Sequence, residues 1–82
     1  MGGVSLLCGL NEIRPGNRAV VIHMEGAQTL LERLKDFGFV PGTAVRCRYR
    51  GPGGAMTALE CRGSVIALRT RELKGIQVRL DG

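Results

Sequence analysis

Eighty-two residues suffice for one domain and not for two, so residues 1–82 are read as a single unit with a compact core. A hydrophobic share of 44% beside 23% charged residues excludes a disordered chain. Twelve Lys and Arg against seven acids leave +5 at neutral pH, which favours anionic partners, although such a charge also keeps a small protein soluble.

Near the N-terminus, Leu6, Leu7, Leu10 and Ile13 recur at helical spacing with Ser5 as a candidate cap, which predicts a short helical turn stopped by Pro15-Gly16. The apolar stretch Val4 to Leu10 is short and lacks a basic lead-in, so it is read neither as a signal peptide nor as a membrane span. Residues 1–9 are read as a loosely ordered extension. Arg18 to Met24 is β-branched and apolar and predicts the first strand.

Ala27 to Phe37 is the main helix. Ala27, Leu30, Leu31, Leu34 and Phe37 share one face, and Gln28, Glu32, Arg33, Lys35 and Asp36 take the other. Gly38 follows as the left-handed stop, which lets Phe39 fold back onto Leu34. Pro41-Gly42 then fits the central pair of a type II turn.

From Thr43 to Arg50 the chain alternates. Val45, Cys47 and Tyr49 are expected to face inward and Arg46, Arg48 and Arg50 outward as a basic stripe. Gly51-Pro52-Gly53-Gly54 is a loop. Thr57, Leu59 and Cys61 form the inward set of a third strand, and Gly63-Ser64 turns into a fourth, Val65 to Arg69. A helical turn around Thr70 to Leu73 leads to a last strand, Ile76 to Leu80. The 13 glycines, about twice the usual share, supply the turns such a chain needs. The fold class is therefore mostly β: a small five-stranded barrel with one main α-helix after the first strand and short helical turns.

Catalysis finds no support. There is a single His, no Gly-rich loop bearing the Lys-Ser/Thr pair that cradles phosphate, and no paired carboxylates. His23, Cys8, Cys47 and Cys61 are the candidate soft metal ligands. Cys47 and Cys61 fall in phase with inward apolar positions, so core packing is the favoured reading and no cofactor is expected. Three cysteines with no C-x-x-C pair also argue against a disulfide-stapled secreted domain, and the chain is read as cytosolic. Nucleic acid would be attracted by Arg46, Arg48 and Arg50, but Phe37, Phe39 and Tyr49 have core phase and leave no stacking platform, so none is expected as partner.

Three segments in order resemble one family. Arg33 to Thr43, R-L-K-D-F-G-F-V-P-G-T, is similar to the R-L-x-x-L-G-x-x-P-G-T signature of FeoA proteins. Gly63 to Val78 resembles their G-x-x-x-A-L-R-x-x-E-A-x-x-I-x-V stretch, and Leu10 to Gly16 their L-x-x-L-x-x-G opening. Phe37 and Leu73 depart from the usual Leu and Ala, and Pro52 to Met56 reads P-G-G-A-M where P-x-G-D-P is frequent. The resemblance implies an SH3-like barrel and a cytosolic accessory of bacterial ferrous iron uptake, a family associated with transition metal ion binding. Its implied partner is FeoB, a membrane permease with a cytosolic GTP-binding domain, which would bring the protein to the inner face of the membrane. Leu34, Gly38, Pro41 and Gly42 carry the structural motif, and Arg33, Lys35, Arg46, Arg48 and Arg50 are the candidate partner-binding residues. The alternative is a stand-alone small barrel that binds nucleic acid or serves a metal-dependent repressor.

Overall fold

The computed structural model of the chain describes residues 6–81. Six strands form one antiparallel sheet: β1 (Leu6–Gly9), β2 (Arg18–Met24), β3 (Ala44–Arg50), β4 (Met56–Cys61), β5 (Ser64–Arg69) and β6 (Ile76–Asp81). Their spatial order is β1-β6-β2-β3-β4-β5. One helix, α1 (Gln28–Asp36), joins β2 to β3, and 3-10 turns occupy Leu10–Glu12, Pro52–Gly54 and Thr70–Gly75. The expected class holds, with six strands in place of five.

The additional strand is a correction. Leu6–Gly9 is extended and pairs with β6, Leu6 opposite Leu80 and Gly9 opposite Gln77, so no helical turn starts there. Only Leu10–Glu12 winds, as a single 3-10 turn. Short apolar runs fit either period, and here pairing to a strand some seventy residues away decided the outcome. The Ser5 cap and the first five residues of the expected extension lie outside the described residues.

The helix stop matches its expectation in detail. Gly38 takes φ +80°, the Gly38 N–H donates to the Lys35 carbonyl at 2.9 Å, and the Phe39 N–H donates to the Leu34 carbonyl at 2.9 Å. This pair of bonds satisfies carbonyls that the helix end would leave orphaned. Phe39 and Leu34 are both fully buried in one core cluster with Leu10, Ile13, Leu59, Leu73 and Ile76. Pro41 and Gly42 form the turn that follows, with Gly42 at φ +93° and the Thr43 N–H donating to the Val40 carbonyl at 3.0 Å. Of the proposed apolar face, Leu30 and Leu34 are buried and Leu31 half-buried, whereas Ala27 and Phe37 are exposed. Phe37 closes the helix rather than continuing it, which turns its ring away from the core.

A β-bulge governs the outer surface. Cys47 lies opposite Leu59, but Tyr49 lies opposite Ala58, so Arg48 is an extra residue in β3. An inserted residue inverts the in/out phase of everything beyond it. Tyr49, expected inside, is 59% exposed. Arg50, expected outside, stands opposite the fully buried Thr57 and is itself half-buried.

Candidate functional site

The functional candidates divide into soft ligands, the helix face and the arginines of the sheet. Cys47 and Cys61 are fully buried, in phase with the core as expected, and Cys8 is half-buried. The Cys61 Sγ faces the carbonyls of Phe37 and Gly38, each at 3.9 Å, a weak thiol contact with the helix stop. Burial pushes all three thiols above the usual 9.0; nearby arginine charge opposes this at Cys47 and Cys61, and Glu12 adds to it at Cys8. Burial thus favours the protonated form of these thiols over the thiolate. His23 sits on the exposed end of β2, its Nε2 2.8 Å from the Glu25 carboxylate. Among the described residues no three His, Cys, Asp or Glu side chains gather as a metal cage.

The cysteine chemistry gives a first expected result. A thiol whose folded value lies above its unfolded one stabilises the fold below the unfolded value, and that contribution is lost as pH rises through the folded value. Stability of the wild type should therefore begin to decline near pH 9, and less steeply in Cys61→Val, whose near-isosteric apolar side chain keeps the core filled. Denaturant melts from pH 7 to 10.5 measure both slopes. Equal slopes would show that burial of this thiol does not resist ionisation.

Arg33 and Lys35 are exposed on α1, as the helical period requires, and near them the Gln28 amide donates to Glu32 at 3.3 Å. On the sheet, Arg46 and Arg48 face solvent. Arg48 is tied to Glu60 by an ion pair at 2.9 Å. Arg50 leaves the expected stripe: its Nη2 donates to the Asn11 carbonyl, and its Nε is buried without a partner. It is a clasp between β3 and the turn after β1.

Sequence reasoning missed two residues of the same surface. Arg18 of β2 lies directly opposite Arg46 of β3, and Arg62 stands at the end of β4. With Ala44, Val45 and Glu60 they line a hollow of about 340 Å³. Cys61 and Ser64 pair across a two-residue hairpin turn in which Arg62 (φ +56°) and Gly63 (φ +84°) are both left-handed. A Cβ on Gly38 would lie 2.7 Å from the Arg62 Cδ, so the bare glycine also makes room for the arginine stem. The outward phase of Arg18 was legible in its strand; its neighbour across the sheet was not.

Six antiparallel strands in one sheet, joined by a single helix and short 3-10 turns, give the fold of an SH3-like small-barrel module. A family model for the FeoA domain matches residues 8–80, and the chain belongs to the FeoA family. A Campylobacter jejuni protein provisionally named Fe(2+) transport protein A is 30% identical over 71 residues, 87% of this chain and 96% of that one. The FeoA protein of Chlorobium tepidum superimposes with a TM-score of 0.85 at 28% identity, over 90% of this chain and 70% of that one. A FeoA-like protein of Clostridium acetobutylicum gives 0.80 at 30% identity, over 94% and 90%. A manganese-dependent transcriptional repressor shares the fold, with a TM-score of 0.83 at 16% identity, over 39% of its own length. Among the described residues, no helix is long and apolar enough to cross a membrane.

Proposed function

We propose that the protein is a non-catalytic, cytoplasmic accessory of ferrous iron uptake that binds the GTP-binding domain of a FeoB-type transporter. The observation that carries this reading is the FeoA match across residues 8–80, seconded by the similar Fe(2+) transport protein of Campylobacter jejuni. The surface chemistry agrees with a protein partner. Arg33 and Lys35 stand on a rigid helix, anchored by buried Leu30 and Leu34, which suits a shaped contact. Arg46 and Arg48 add exposed positive charge on the sheet, of the kind that mainly steers association. Positive charge also favours residence beneath an anionic membrane leaflet.

The test is retention on FeoB-containing membranes at two salt concentrations. Reversing charge in Arg33→Glu/Lys35→Glu should reduce retention more than tenfold, because a few central residues carry most interface energy. Arg46→Gln/Arg48→Gln should reduce it two- to threefold and mainly through the association rate. Tight, salt-sensitive binding to mixed RNA without membrane retention would overturn the transporter reading in favour of a nucleic-acid module.

A further inference from the structure

The pairing of Arg18 with Arg46 breaks a rule of sheet construction. Like charges directly opposite on neighbouring strands repel, and a fold ordinarily places an acid or a neutral side chain there. Here the two arginines face each other, and Arg62 adds a third cation to the same hollow. The nearby acids do not neutralise them. Glu60, opposite Arg46 on the other flank, is engaged by Arg48 at 2.9 Å. Asp81 lies opposite Arg18 on β6, yet among the described residues the ion pairs are those of Arg48 with Glu60 and His23 with Glu25. Among the side chains that line the hollow, three arginines (18, 46 and 62) stand against the single carboxylate of Glu60. An uncompensated local conflict of this kind marks a functional site.

We propose that the hollow lined by Arg18, Arg46 and Arg62 is a receptor for a phosphoryl group. A tetrahedral phosphate monoester presents three charged oxygens and close to two negative charges at neutral pH, and guanidinium forks match such oxygens bidentately. One carboxylate would leave most of that donor capacity unused. The size fits, since about 340 Å³ admits a phosphoryl head and the first atoms of whatever carries it. The site is also built. Arg18 and Arg46 are fixed by strand register, and Arg62 by a tight hairpin turn and by the space that Gly38 leaves for its stem. The inference stands apart from the transporter reading, since it needs no protein partner.

The phosphoryl group has two natural sources, a soluble ester or a lipid headgroup, and the experiment separates them. Glycerol 3-phosphate is titrated into the whole protein, followed by amide resonances. In parallel, co-sedimentation is measured with phosphatidylcholine vesicles containing 20% phosphatidic acid. Shifts are expected at Arg18, Ala44 to Arg46 and Arg62, with affinity at least tenfold lower in Arg46→Gln and Arg62→Gln and unchanged in the distant Arg69→Gln. Affinity should fall severalfold between pH 7.5 and 5, as the ester loses its second charge near pH 6. Binding to vesicles alone assigns the group to a lipid; binding to the free ester assigns it to a soluble ligand.

A second readout holds even if binding is weak. In low-salt, phosphate-free buffer Arg46→Gln should melt at a higher temperature than wild type, because the cross-strand repulsion is gone. Equal shifts from chloride at matched ionic strength, unchanged affinity in Arg46→Gln, or a lower melting temperature for that variant would each overturn the proposal. So would an oligoglutamate peptide that binds the hollow tenfold more tightly than the ester, which would make it a protein-docking surface.

Discussion

Gly75→Ala should destabilise the protein by about 3 kcal/mol, more than any alanine placed at the left-handed glycines of its turns. Gly75 closes the last 3-10 turn just before β6, and the Glu25 N–H donates to its carbonyl at 2.8 Å. A Cβ at this position would run into the Glu25 backbone carbonyl, whose carbon would be 2.9 Å away. Backbone cannot swing aside as a flexible side chain can. The methyl therefore has to part the chain after β2 from the start of β6, next to the terminal pair Met24–Ile76, and loosen a bond that closes the sheet there. Gly42 is the contrast: its φ is +93°, but nothing lies within 4 Å of an added Cβ. Gly42→Ala should cost only the left-handed penalty, about 1–2 kcal/mol. Urea melts of the two variants rank them directly, and a Gly42→Ala loss equal to or above that of Gly75→Ala would refute the close approach.

That contrast shows what a sequence exposes and what it hides. Gly38 and Gly42 were legible because local punctuation defines them: a helical run before one, a proline before the other. Gly75 was not, since its constraint comes from Glu25, fifty residues away. The same division runs through the strands. Period-two alternation located β3 to β6, but the phase of β3 beyond Cys47 depends on a residue inserted relative to β4. No property of Thr43 to Arg50 alone announces that insertion, so Tyr49 and Arg50 exchanged sides. The arginine hollow was half legible for the same reason. Arg46 was found from its own strand, whereas its meeting with Arg18 and Arg62 is a matter of strand order. Cys47 and Cys61 do lie inward as their strand phase suggests, because Cys47 comes before the inserted residue and Cys61 lies on β4, which carries none.

Phe39→Ala should have the largest effect of any single side-chain truncation, lowering stability by about 3–5 kcal/mol. Phe39 heads the largest fully buried side chains, and it lies immediately past the helix stop. Its role is double. The fully buried ring belongs to the cluster that holds Leu34, Leu59 and Leu73, so truncation leaves a void in a close-packed core. Its N–H donates to the Leu34 carbonyl, and the ring's burial holds that bond, and with it the left-handed Gly38, in place. Losing the ring should therefore loosen the end of α1 as well as the core. For a domain of this size each kcal/mol corresponds to about 4–8 °C, so a fall in melting temperature of about 12–40 °C is expected. The exposed Phe37, two residues earlier, supplies the internal control: Phe37→Ala should change the melting temperature by only a few degrees, because its ring is 43% exposed. Amide exchange adds a local readout. In Phe39→Ala the Gly38 and Phe39 amides should exchange faster than those of β3 and β4, while a uniform rise across the chain would mean that the helix stop is held by its own hydrogen bonds and not by the buried ring.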